Sequence, residues 1–405
     1  MKKEWDWPLD LMENYIGLLY NYEKGVVKVD YDVIILGAGS MGMAAGYYLT
    51  RAGKKVLLID KNDPPHTYGS HHGSTRLIRH AYGEGDYYVN LALRSQQLWL
   101  ELQKLVEEKL FIPTGVLNVG RSNSDFIQNV IGSAEAFSLP VEVLSADEIN
   151  ERWKGWSVPE DYIGCFEISS GVLLSERIIS AYRKVSEKIG AVIKVNTSVT
   201  SVKIKDDLVE VETPSETYTS KHLIVASGAG TSEISRLLGI TLPLTEIRKT
   251  FSWFNCDEEN YGNQYFPAFA FSLDKAVYYG FPSIESDGVK IGRHDGGRQR
   301  DMKEPLQGFG AFSEDEGDVT QFARCFFSNL GSHKEGAACT YTMTPDEDFI
   351  IDAHPEYDNV FIACGFSGHG FKFSSAVGEM LCQMVTSGET ELDMSRFALD
   401  RFNQK

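Results

Sequence analysis

Apolar positions follow two different rhythms along this chain, and the changes between them mark its organisation. The run Val33-Ile34-Ile35-Leu36 is apolar without interruption, as in a short strand covered on both faces of a parallel sheet. Gly37, Gly39 and Gly42 follow as G-x-G-x-x-G, and then Met43, Ala44, Ala45, Tyr47 and Leu49 predict a helix. A second unbroken strand, Val56-Leu57-Leu58-Ile59, closes with Asp60, 18 residues after Gly42. The three glycines suit a tight turn, backbone approach to a pyrophosphate, and close helix–strand packing. Free N–H groups at the helix start favour phosphate, and Asp60 can accept from a ribose hydroxyl. The bland alternative is an α/β packing turn without ligand. Strand, glycines, helix, strand and terminal acid in that order favour a dinucleotide-binding βαβ unit.

Helical periodicity returns at residues 87–110, with Leu91, Leu98 and Leu105 as inward candidates, and at 125–137, 146–153 and 176–189. The strands AVIKV, SVTSVKIK and LVEVET follow, and then Leu223–Ala226 runs into Ser227-Gly228-Ala229-Gly230, a weaker echo of the first unit. Residues 248–294 alternate aromatic and polar side chains, predicting strands of a second, antiparallel-rich unit. Strands Phe349–Asp352 and Val360–Cys364, a glycine-rich turn and a helix from Ser374 to Thr386 complete the chain. The expected fold is α/β: a discontinuous Rossmann-like dinucleotide domain (29–110, 175–243 and 338–405) plus an α+β substrate domain with an antiparallel-rich mixed sheet (111–174 and 244–337). Such discontinuity is commoner in FAD proteins than in NAD dehydrogenases. Residues 1–28, aromatic and acidic, read as a surface appendage or a misplaced translation start.

Composition narrows the function. A net charge of −18 over 405 residues argues against a nucleic-acid partner, and an anionic substrate would need a local basic pocket. The six cysteines are scattered without C-x-x-C or zinc spacing, so no metal site or disulfide framework is expected, and a cytoplasmic location fits. No apolar run reaches the roughly 20 residues needed to span a bilayer, and no signal-peptide core is expected near the N-terminus.

Four constellations carry candidate chemistry. Gly69–Gly85 gathers His71, His72, Arg76, Arg79 and His80, and arginine forks bind carboxylate or phosphate, although structural ion pairs explain them equally well. Gly365, Gly368 and Gly370 precede a helix, with Lys372 at the turn. Cys339 and Tyr341 lie in EGAACTYTMTPDEDFIID, where a cysteine among small residues is ordinarily core. Tyr279, Lys290 and His294 lie on alternating strands, where a lysine is unusual unless it meets a partner or ligand.

With PPHTYGSHHGSTRLIRHAYGEG, YYGFPS, VKIGRH, AACTY, PDEDFIID and GFSGHGFKFSS together, the chain from about Tyr31 onward resembles the monomeric sarcosine oxidase family of flavoproteins, which includes N-methyl-L-tryptophan oxidase. GAACTY, KIG-x-H-x-GG and the closing SRF-x-L-x-RF lean toward the N-methyltryptophan branch. The resemblance implies FAD joined covalently to Cys339 through an 8α-S-cysteinyl bond. It implies a cofactor-contacting set of Gly37, Gly39, Gly42, Asp60, Val199, Gly228, Gly368, Gly370 and Lys372. Lys290 matches the lysine that helps O2 accept electrons, Arg76 an arginine over the flavin, and Arg79 with Lys372 a pair holding the substrate carboxylate. His72, Tyr279, His294 and Tyr341 fall on active-site positions. Ala270 stands where sarcosine oxidases carry a pocket methionine, leaving room for a larger side chain. The implied activity is oxidative N-demethylation of an N-methyl L-amino acid by a monomer, with N-methyl-L-tryptophan first and sarcosine or pipecolate as alternatives. Readings from other classes are a pyridine-nucleotide dehydrogenase and a flavin-binding protein without turnover.

Overall fold

A computed structural model describes residues 29–83, 85–205 and 207–402, so the N-terminal extension lies outside the described residues. The unbroken apolar strand at its start is explained by the two layers it separates. Val33 and Ile35 join one core cluster and Ile34 and Leu36 another, so both faces are covered. Tyr31–Leu36 pairs in parallel with Val56–Ile59 on one side and Thr217–Val225 on the other. Val192–Lys194 and Val360–Cys364 extend the parallel core at its two flanks. Ser201–Lys205 and Leu208–Glu212 add an antiparallel meander, and Ile350–Ala353 an antiparallel strand.

Helices Ser40–Arg51 and Ser374–Thr386 pack on one face so closely that a Cβ at Gly378 would lie 2.6 Å from that of Ala44. Tyr88–Val106 and Ser175–Lys188 complete this layer through Leu91, Leu98, Ile178 and Tyr182. Leu105 departs from its inward expectation. It is 55% exposed although it shares the helix face of Leu91, Leu98 and Leu102, standing in the last turn of a helix that ends at Val106.

A second, nine-stranded sheet begins at Val116 and runs mostly antiparallel. One parallel pairing, Ala268–Leu273 with Val116–Arg121, makes it mixed. Helix Glu314–Phe326 covers an aromatic core in which Tyr278 stacks on Phe322 at 4.1 Å. Such a stack adds about 0.5–1.5 kcal/mol beyond simple burial.

Two expected domain boundaries meet continuous structure. Strand His333–Met343 pairs along its length with Thr245–Phe254, so the boundary at 338 falls in mid-strand and Cys339 belongs to the second sheet. A three-stranded sheet of Thr75–Ile78, Gly171–Leu174 and Phe111–Ile112 joins segments expected in different domains. That small sheet carries Arg76 to the junction between the two large ones.

Candidate active site

A connected cavity of about 1830 Å³ runs from the glycine turn after Tyr31–Leu36 to the inner face of the second sheet. At the first end, Gly37 has φ +99°, and a Cβ there would sit 2.5 Å from the Ala226 carbonyl oxygen. A Cβ at Gly42 would lie 1.8 Å from the Gly37 carbonyl oxygen. Gly42 is therefore the packing glycine and does not line the cavity, whereas Gly37 and Gly39 do. No side chain caps the helix that begins at Ser40, and its first residues face the cavity. Asp60 accepts from the backbone N–H of Ala38 at 2.7 Å and of Asn62 at 2.8 Å, so it orders the turn while lining the cavity. Burial pushes its carboxyl pKa up, but hydrogen bonds from His66, Asn62 and Ala38 outweigh burial and hold it below the usual range. Val199 and Gly228 line the same end.

At the other end, Arg79 and Lys372 approach one tyrosine from two sides. The Arg79 guanidinium lies 4.5 Å from the Tyr82 ring centroid and donates to the Ala81 carbonyl. Lys372 Nζ donates to the Tyr82 hydroxyl and the His369 carbonyl, each at 2.8 Å. Both cations are 6% exposed and line the cavity. Facing them are Ala270 and its cross-strand partner Tyr279, with Tyr341 and His294. Gly368, at φ +81°, carries the Tyr341 ring so closely that a Cβ would lie 2.0 Å from it. Burial pushes the Tyr279 phenol up to about 12 and the Tyr341 phenol well above its usual value, so both stay protonated donors. Gly370 also lines this end.

Cys339 and Arg76 line the same cavity. Arg76 donates to the carbonyls of Thr75, Ser70 and His72 at 2.5–2.7 Å, which fixes its guanidinium at the cavity wall. Burial raises the Cys339 thiol pKa, and Arg76, Lys290 and Lys249 oppose that rise without cancelling it. The nearby cations favour the thiolate, but burial dominates.

Two expected site residues stand behind the cavity wall. His72 bonds through Nε2 to the Ala338 carbonyl at 3.1 Å and packs on Phe251, away from the cavity. Lys290 donates to the Gly73 carbonyl and the Thr75 hydroxyl, and Phe251 and Phe281 lie 4.4 and 5.1 Å from its Nζ. It lines a separate, smaller cavity, and burial followed by Arg76 pushes its pKa well below the usual lysine value. Of the other histidines in the first constellation, His71 lines the dinucleotide end and accepts the His66 N–H. His80 is buried against Glu167.

Residues 32–384 match the family described as DAO, FAD dependent oxidoreductase. The chain is 48% identical over 378 residues to a monomeric sarcosine oxidase of Arthrobacter sp. (strain TE1826), covering 93% of this chain and 97% of that one. The chain belongs to the FAD-dependent oxidoreductases. It is 43% identical over 375 residues to an N-methyl-L-tryptophan oxidase of Yersinia pestis (strain Pestoides F), covering 92% of this chain and all of that one. The L-proline dehydrogenase of P. horikoshii shares the fold at TM-score 0.82 and 20% identity, over 93% of this chain and 99% of that one.

The cradle fits FAD. An uncapped helix N-terminus, glycines where a Cβ would strike backbone, and an ionised Asp60 match a diphosphate and a ribose. Three residues absent from the sequence-based candidates contact or brace groups that line the cavity. Tyr82 bridges Arg79 and Lys372, and its place in RHAYGEG was the available signal. Glu167, 1% exposed, accepts from the His80 and Ala81 N–H groups and from Ser170 and Asn118, bracing the backbone next to Arg79. Lys249, 5% exposed, sits opposite Cys339 in the strand register. Among the described residues no group of His, Cys, Asp and Glu is arranged to hold a metal, and no helix is long and apolar enough to cross a membrane.

Proposed function

We propose that this oxidoreductase oxidises N-methyl L-amino acids, with N-methyl-L-tryptophan as the first assignment. The observation that carries the reading is the pairing of Arg79 and Lys372 around Tyr82, opposite an aromatic wall, inside an otherwise acidic protein. Two buried cations suit a carboxylate, and the arginine fork can bind it bidentately. Ala270 beside Tyr279 leaves space for an indole, which favours the larger substrate. Sarcosine is the second reading, supported by the 48% identity to the Arthrobacter enzyme.

In this account Arg79 and Lys372 dock the carboxylate, and Tyr279, Tyr341 and His294 wall the amine. The substrate amine binds neutral, because its lone pair must assist loss of hydride or electrons from the N-methyl carbon. FAD held by the glycine turn and Asp60 would supply the acceptor for the two electrons of that C–H bond, with O2 as the final oxidant, reduced to peroxide. The imine product hydrolyses to the free amino acid and formaldehyde. Positioning by the wall and the cation pair supplies much of the rate. Lys290, a donor to Gly73 and Thr75, provides positive charge behind the aromatic wall where O2 is reduced.

Cys339 is the proposed tether of FAD, supported by its place in the cavity near Arg76 and Lys290. A monomer in the cytoplasm is the accompanying reading. Acid precipitation of the purified protein tests the tether: yellow colour should stay in the pellet, and colour lost to the supernatant contradicts it. A peroxide-coupled assay with N-methyl-L-tryptophan, sarcosine and pipecolate ranks the substrates. Sarcosine far ahead would reverse the first assignment.

A further inference from the structure

Lys249 and Arg248 are consecutive cations on strand Thr245–Phe254, and between them they fasten one long excursion of the chain. Arg248 grips its far end, with paired bonds to the Asp315 carboxylate at 2.7 Å and further bonds to the Gln307 and Gly308 carbonyls. Lys249 grips its start, where Nζ donates to the Asp295 carbonyl at 2.6 Å and the Gly296 carbonyl at 2.8 Å. The same Nζ lies 5.2 Å from the Tyr341 ring centroid. Two carbonyls take two of the three ammonium donors, and the Tyr341 face lies within cation–π range. Gly297, at φ +98°, admits the lysine stem, since a Cβ there would lie 2.7 Å from its Cδ. Between the grips, Arg300, Asp301, Met302 and Lys303 form part of the cavity lining. His294, next to the Lys249 grip, lies 5.9 Å from Tyr341 between ring centroids.

We propose that Lys249 is a positioning residue for the substrate end of the site, holding the turn at 295–296 and the Tyr341 ring so that His294 and Tyr341 form one wall. Resting on the function proposed above, it makes the wall dependent on one buried charge. The groups facing that charge are Asp295 and Arg293 beside the turn, Cys339 and Tyr341 on the neighbouring strand, and Glu347 beyond it. Burial pushes the Lys249 pKa down to about 8, against the pull of Asp295. The ammonium is present below that pH and lost above it. A neutral amine still donates to carbonyls, but it forfeits charge assistance and the attraction to the Tyr341 face. The far end stays fastened by the paired bonds between Arg248 and Asp315, so only the start of the excursion loosens.

The test is binding of (methylthio)acetate to the holoenzyme, followed by flavin absorbance from pH 6 to 10. Sulfur replaces the amine in this ligand, so no ligand group titrates in that range. The wild-type dissociation constant should rise through about pH 8, Lys249→Arg should move that limb upward by more than a unit, and Lys249→Met should bind on the order of tenfold more weakly at pH 7. A limb unmoved in Lys249→Arg, or wild-type affinity in Lys249→Met, overturns the positioning role while leaving the carboxylate dock intact. If Lys249→Met does not fold, the arginine variant decides alone. Failure of the wild type to bind the ligand at any pH overturns both readings.

Discussion

The two ends of the cavity are built from different materials. The dinucleotide end is backbone: a glycine turn, an uncapped helix start and strand ends, with Asp60 tying the turn together. The substrate end is side chain: Arg79, Lys372, Tyr279 and Tyr341 line the cavity, and Tyr82 contacts both cations. Backbone sites tolerate no added atom, whereas side-chain sites lose function group by group. The difference predicts how each end should break.

The largest effect belongs to the cradle. Gly42→Val would drive a branched side chain into the Gly37 carbonyl, costing more than about 4 kcal/mol, and the protein should lose FAD and melting temperature together. Normal flavin content in that variant would blur the contrast. Next comes the cation pair: Lys372→Met should lower kcat/KM roughly 10²–10³-fold while FAD content stays at wild type. Loss of flavin there would mean that the two ends are not separable.

Lys290→Met tests the residue standing behind the wall. Flavin reoxidation by O2 should slow about 10²-fold while anaerobic reduction by substrate changes little, as stopped-flow would show. Equal slowing of both half-reactions contradicts the role. Burial and Arg76 hold the Lys290 pKa well below the usual lysine value, so protonation and the reoxidation it supports should fade well below pH 10.5 in the wild type. The smallest effect is one of preference. Ala270→Met should shift the kcat/KM ratio toward sarcosine and away from N-methyl-L-tryptophan by about 1–3 kcal/mol.

The same contrast explains what was legible in the sequence. The cradle is contiguous, so strand, glycines, helix and Asp60 could be read from one stretch of residues. Cys339, Arg79 and Lys372 were marked only by residue type, and resemblance to a known family singled them out. What escaped was what depends on packing. Whether Lys290 and His72 face the cavity or stand behind it is decided by the Phe251 ring beside both. The boundary expected at 338 falls inside the strand His333–Met343, and nothing in GAACTY marks which sheet will take it. Glu167 and Lys249 were invisible because their partners, backbone groups at 80–81 and 295–296, lie far away in the chain.

The central claim is that the cavity selects an N-methyl amino acid by its carboxylate. It is tested most directly by peroxide production from N-methyl-L-tryptophan beside N-methyltryptamine, the same amine without the acid. Rapid turnover of the amino acid, with kcat/KM for the amine at least about 10²-fold lower, is the predicted result. Equal oxidation of the two, or no peroxide from any N-methyl amino acid, would contradict it.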